Sequence, residues 1–120
     1  MIVFDSYAWI EYFSGSDKGN IVKNIIESKD EILTPAICIA EIKRKYIKEK
    51  KEHEPRLKFI ILRSKVIKID LNIALMAASL SEKHKLYIID ALIYASALAV
   101  NSELLTGDQH FKGLGKIKFL

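Results

Sequence analysis

The sequence predicts a three-layer α/β/α sandwich on a mostly parallel central sheet, in a single domain spanning residues 1–120. Three observations predict it. Short β-branched runs alternate with longer segments of helical periodicity, the pattern of strands joined by crossover helices. Half of the 120 residues are apolar, enough for one core in a domain of ordinary size. The chain also shows no internal repeat, low-complexity tract or linker-like stretch.

IVFD at residues 2–5 is the first predicted strand, and a short helix follows over 7–14 until Gly15 to Gly19 break it. Ile21, Val22, Ile25 and Ile26 recur at helical spacing and place a second helix over 20–28. EILT at 31–34 reads as the second strand, closed by Pro35. A long helix over 36–51 carries basic residues in its far half. Pro55 opens a helix over 55–64, at the position where proline lacks only a hydrogen bond the helix does not need. VIKI at 66–69 is the third strand, and helices follow over 71–85 and 89–101. ELLT at 103–106 is the fourth strand, with a turn of helix near 108–112 and an edge strand, KIKFL, over 116–120.

Composition narrows the function. No apolar run approaches the ~20 residues that span a bilayer, and the first ten residues lack the basic start of a signal peptide. The reading is therefore a soluble, cytoplasmic protein. A single cysteine, Cys38, excludes an internal disulfide and a cysteine-rich zinc site, and its apolar setting suits an inert buried thiol. The net charge is +4, and Lys43, Arg44, Lys45, Lys48, Lys50, Lys51, Arg56 and Lys58 crowd mid-chain. Such a patch suits a polyanion such as nucleic acid. A solvated helix face with Lys/Glu pairs explains it too, given Glu49, Glu52 and Glu54.

The charges that interrupt apolar runs are more specific. Asp5 is the only charge from Met1 to Ile10, Glu41 the only one from Ile32 to Ile42, and Asp90 the only one from Leu86 to Ser102. Burying an unpaired carboxylate is costly, and metal coordination relieves that cost. Oxygen ligands with few His and Cys point to Mg2+ or Mn2+. In a parallel sheet, Asp5 and Asp108 fall at the carboxyl ends of strands, where ligands bind. Helix capping is the competing explanation for Asp90, for Ser6 ahead of the first helix and for Asp108. Glu41 falls inside a helix, where capping does not explain it. Asp70 also follows a strand and precedes an apolar helix, so position alone does not separate it from Asp90.

Four segments then resemble one family. IVFDSYAWIEYF, TPAICIAEI, IIDALIYASAL and LLTGDQHF are similar, in order and spacing, to the acid-bearing segments of PIN-domain nucleases, specifically VapC-type toxins of toxin–antitoxin pairs. The resemblance covers nearly the whole chain. It implies a PIN-like fold and an Mg2+- or Mn2+-dependent endoribonuclease whose metal-binding and catalytic acids are Asp5, Glu41, Asp90 and Asp108. It leaves Asp70 as a helix cap, makes Ser6 and Thr106 supporting hydroxyls and adds Glu11 as a weaker further acid. It implies RNA as substrate, an antitoxin protein as partner with Phe13 and Ile21 near its groove, and a homodimer.

Within that reading, Lys43, Arg44, Lys45 and Lys48 are expected to hold the RNA backbone. Tyr7, Trp9 and Tyr12 are available to stack on bases, although packing is the commoner fate of aromatics on a short amphipathic helix. His110, like His53 and His84, reads as a surface histidine. Two rivals remain. One is a non-catalytic RNA-binding domain of the same fold. The other is a phospho-receiver-like domain using Asp70, Thr106 and Lys118, disfavoured because only Ser6 follows Asp5 where that class carries paired acids.

Overall fold

The computed structural model describes residues 1–120. Five parallel strands form one sheet in the order β3-β2-β1-β4-β5. These are β1 (Ile2–Phe4), β2 (Ile32–Pro35), β3 (Lys65–Ile67), β4 (Leu104–Thr106) and β5 (Ile117–Phe119). The helices are α1 (Ser6–Ser14), α2 (Asp17–Ile26), α3 (Ala36–Lys48), α4 (Glu54–Arg63), α5 (Leu71–His84) and α6 (Ile88–Ala99), with a 3-10 turn at Gln109–Phe111.

Alternation along the strands builds the two apolar layers. Val3, Leu33 and Leu104 face one cluster, which α5 and α6 complete with Ile73, Ala77, Ala91 and Ile93. Ile2, Phe4, Ile32 and Leu105 face the other, completed by Trp9, Val22, Ile42 and Ile60 of α1 to α4. A period of two sends neighbouring strand residues to opposite faces, so the all-parallel sheet is covered on both sides. The α/β/α sandwich is thus the observed architecture, and no helix is long and apolar enough to cross a membrane.

Several boundaries differ from the sequence expectation. Pro35 does not close β2 from outside. It is the last residue of the strand, opposite Ile67. The second helix begins earlier, at Asp17, because Ser16 caps it by accepting from Gly19 N–H at 2.9 Å. Gly19 is therefore a packing residue and not a breaker: a Cβ there would lie 2.1 Å from the Glu11 carbonyl oxygen, where α1 and α2 cross.

The strand order also removes the receiver reading. β3 is an edge strand, and Asp70 beyond it spends its carboxylate on capping α5, accepting from Ile73 N–H at 2.8 Å. Thr106 donates instead to Asp5.

Candidate active site

The chain reverses direction across the sheet between β1 and β4, the usual ligand position in open parallel sheets. Asp5 leaves β1 there, α3 starts directly after β2, and Asp108 lies two residues beyond β4. Asp5, Glu41, Asp90 and Asp108 line one cleft of about 290 Å³ together with Ser6, Tyr7, Glu11 and Lys45. The four acids of the sequence analysis thus converge from four different segments.

Hydrogen bonds fix Asp5 on three sides. It caps α1, accepting from Ser6 N–H at 2.7 Å. Its Oδ2 accepts from Thr106 Oγ1 at 2.7 Å, and that hydroxyl accepts from Asp108 N–H at 3.0 Å. The cap is thus Asp5, and the expectation that Ser6 caps α1 is corrected: the Ser6 hydroxyl instead lies 3.2 Å from Asp5 Oδ1 and 3.1 Å from Glu41 Oε1. One hydroxyl has one hydrogen, so it cannot donate to both carboxylates at once. Asp90 is no cap either. Its helix starts at Ile88 without a side-chain cap, leaving Asp90 in the first turn, where the positive end of the helix favours a carboxylate. Asp108 does cap, accepting from His110 N–H at 2.9 Å.

The electrostatics are strained by burial and like charge. Asp5 is 3% exposed and neither it nor Glu41 has an ion-pair partner. Burial pushes the Asp5 pKa up to about 6, against the pull of Thr106 and Ser6. Burial and the neighbouring Asp5 charge raise Glu41. Burial also raises Asp90, opposed by its bond to His110. Cys38 is buried as expected, but its thiol sits 3.8 Å from Asp5 Oδ1. Burial and then the Asp5 and Glu41 charges push it up, keeping it a neutral thiol.

These residues fit a divalent cation. The set offers hard oxygen donors, a buried acid without counter-charge and one hydroxyl hydrogen between two carboxylates. Ligand atoms of Asp5, Cys38 and Glu41 lie within 4.8 Å of one another, as do those of Asp90, Asp108 and His110.

A folded-state pKa above the usual 3.8 favours the protonated folded form, so the penalty is absent at low pH and grows as pH rises from 3.8 through about 6. At neutral pH it reaches about 3 kcal/mol. In chelator at pH 7.5, Asp5→Asn should unfold at higher urea than the parent, and the gap should shrink toward pH 4. Denaturation at several pH values checks both.

Other sequence-predicted residues divide. Arg44, Lys45 and Lys48 line an adjoining groove of about 750 Å³ that also reaches Ser6 and Glu41. Lys43 does not line it, since two residues past Glu41 is about 200° around the helix. Lys45 is paired with Glu49 at 2.6 Å. Glu11 lines the cleft, but its carboxylate is held by the Ser16 hydroxyl. Trp9 is fully buried, which removes it as a stacking platform. Tyr12 stacks on Phe59 at 5.7 Å. Tyr7 alone of the three aromatics reaches the acid cleft. Its ring lies against Gly107, where a Cβ would come within 2.3 Å of it; the glycine beside Asp108 is the sequence signal for that contact. Phe13, with Tyr12, Arg56 and Phe59, lines a separate groove of about 530 Å³ among α1, α2 and α4, whereas Ile21 is exposed outside it.

His110 is the residue the sequence reading undervalued. Its ring Nδ1 lies 2.9 Å from Asp90 Oδ2 and 3.5 Å from Asp108 Oδ1. The bond to Asp90, then the Asp108 charge, raise its pKa. Its place two residues past Asp108 was the available signal.

No curated protein matches the sequence. Among solved structures, a toxin–antitoxin complex from Klebsiella pneumoniae contains a chain similar to this one at TM-score 0.83 and 25% identity, covering 98% of this chain and 96% of that one. VapBC2 from Rickettsia felis, bound to a DNA fragment from its promoter, is similar at 0.77 and 21%, covering 100% and 99%. Mycobacterium tuberculosis VapC20, a Sarcin-Ricin loop cleaving toxin, is similar at 0.78 and 13%, covering 97% and 96%. The PIN domain family model matches residues 2–117, nearly the whole sequence, and the chain belongs to the PIN domain family.

Proposed function

We propose that this protein is a divalent-metal-dependent endoribonuclease and the toxin of a toxin–antitoxin pair. The observation that carries the reading is the convergence of Asp5, Glu41, Asp90 and Asp108 on one cleft at the sheet's switch point. The likeness to chains of toxin–antitoxin complexes supports the biological half.

Asp5, Glu41, Asp90 and Asp108 would hold Mg2+ or Mn2+. Such a cation, when bound, supplies Lewis-acid chemistry, acidifying water and offsetting charge on a phosphate. Thr106 and the α1 N-terminus hold the Asp5 carboxylate in one orientation. Glu41 or Asp90, each raised above the usual carboxylate value chiefly by burial, would accept the proton of water attacking phosphorus. Arg44 and Lys48, in the adjoining groove, bind RNA phosphates in a salt-dependent way.

The antitoxin would fill the groove that Phe13 and Phe59 line. A homodimer belongs to the same reading, with exposed Leu71 and Leu75, one turn apart on α5, under its interface. Light scattering should return the dimer mass at micromolar concentration, and a monomer there would contradict it.

The activity test is incubation with single-stranded RNA plus Mg2+ or Mn2+, with and without chelator. Cleavage is expected only with the cation. Cleavage that survives chelation removes the reading.

A further inference from the structure

The geometry points to His110 as a nitrogen ligand in the metal site, making the Asp90–Asp108 half of that site selective for Mn2+ over Mg2+. This rests on the metal reading above and deepens it by choosing the ion.

The ring nitrogen stands between two carboxylates from different parts of the fold. Asp90 comes from the first turn of α6 and Asp108 from the turn after β4. Nδ1 is 2.9 Å from Asp90 Oδ2 and 3.5 Å from Asp108 Oδ1. Neighbouring ligands of an octahedral ion with bonds of about 2.1 Å are separated by about 3 Å, so the spacings are those of adjacent corners of one coordination shell.

Three features fix the position of the ring. The His110 backbone N–H donates to Asp108 Oδ1 at 2.9 Å. Phe111, the next residue, is fully buried and anchors the turn. Tyr87 meets the ring edge-on at 5.3 Å. The side chain remains 51% exposed, so the ring is open to solvent beside Asp90 and Asp108.

Mg2+ takes oxygen ligands and gives up water reluctantly, whereas first-row transition ions accept imidazole, Mn2+ the most weakly of the series but more readily than Mg2+. Two carboxylates and one imidazole therefore favour Mn2+ over Mg2+, while the all-oxygen pair Asp5 and Glu41 discriminates less.

The test uses the full chain labelled with 15N-histidine and loaded with Mn2+. Pulsed electron paramagnetic resonance should show the coupling of a directly bound 15N, and His110→Gln should lack it. By calorimetry, His110→Gln should weaken Mn2+ at least about tenfold and leave Mg2+ affinity within twofold. Mn2+ bound without nitrogen coupling, or equal weakening of both ions, overturns the inference and leaves the nuclease reading standing. Failure of the parent protein to bind Mn2+ overturns both.

Discussion

Asp5→Asn is expected to lower RNA cleavage at least about a hundredfold, because it removes a carboxylate from the set that would hold the cation whose charge offsets that developing on the phosphate. The substitution keeps the size of the side chain. Its amide oxygen can still accept from Ser6 N–H, so the cap on α1 survives. What disappears is the negative charge of a residue 3% exposed with no ion-pair partner, and the Thr106 hydroxyl, now facing the amide nitrogen, turns from donor to acceptor. The same change relieves the burial that pushes the Asp5 pKa up to about 6. The metal-free variant should therefore be inactive yet more stable than its parent at neutral pH. A misfolded variant would lose both. Initial rates on a defined RNA, read beside urea midpoints, separate the two cases.

Trp9→Ala should destabilise the fold by about 3–5 kcal/mol, the usual cost of truncating a large buried aromatic. Trp9 is fully buried. Its ring meets Phe4 at 5.0 Å, Phe13 at 6.2 Å and Phe59 at 6.3 Å, so it joins β1, α1 and α4. It also starts a directed hydrogen-bond chain. Trp9 Nε1–H donates to Thr34 Oγ1 at 3.0 Å. Ser64 spends its hydrogen on the Ile60 carbonyl at 2.7 Å, so at 2.8 Å the Thr34 hydroxyl must be the donor to Ser64. Trp9→Phe keeps most of the volume and removes only the first donor, and should cost about 1–2 kcal/mol. Against a total of about 5–15 kcal/mol for a typical domain, the alanine variant loses a large share of its stability. Denaturant midpoints of the two variants check the order.

Much of the site was legible because its position follows from topology. Acids at the ends of strands in a parallel sheet lie at the ligand edge, which marked Asp5 and Asp108 as candidates, but Asp70 shares that position and only the ordered set of four acids set them apart. Glu41 stood out because an isolated acid inside an apolar helix has no local task. Asp90 was harder: an aspartate near a helix start resembles a cap, and only the observed start at Ile88 shows that it is not one. Asp70, identical in local pattern, is a cap. The remaining contacts depend on docking between elements distant in sequence. His110 meets Asp90 across 20 residues, and Thr34 meets Trp9 across 25. Gly19 looked like a breaker because its real constraint, the Glu11 carbonyl of the neighbouring helix, lies outside its own helix. Lys43 separated from Arg44 and Lys48 once the helix phase was known.

The central claim is that the four carboxylates form one cation site. Calorimetric titration of Mn2+ into the metal-free protein and into Asp5→Asn tests it most directly. The account predicts saturable binding to the parent protein and its loss, or a weakening of at least about tenfold, in Asp5→Asn. No binding to the parent, or unchanged binding to the variant, would contradict it.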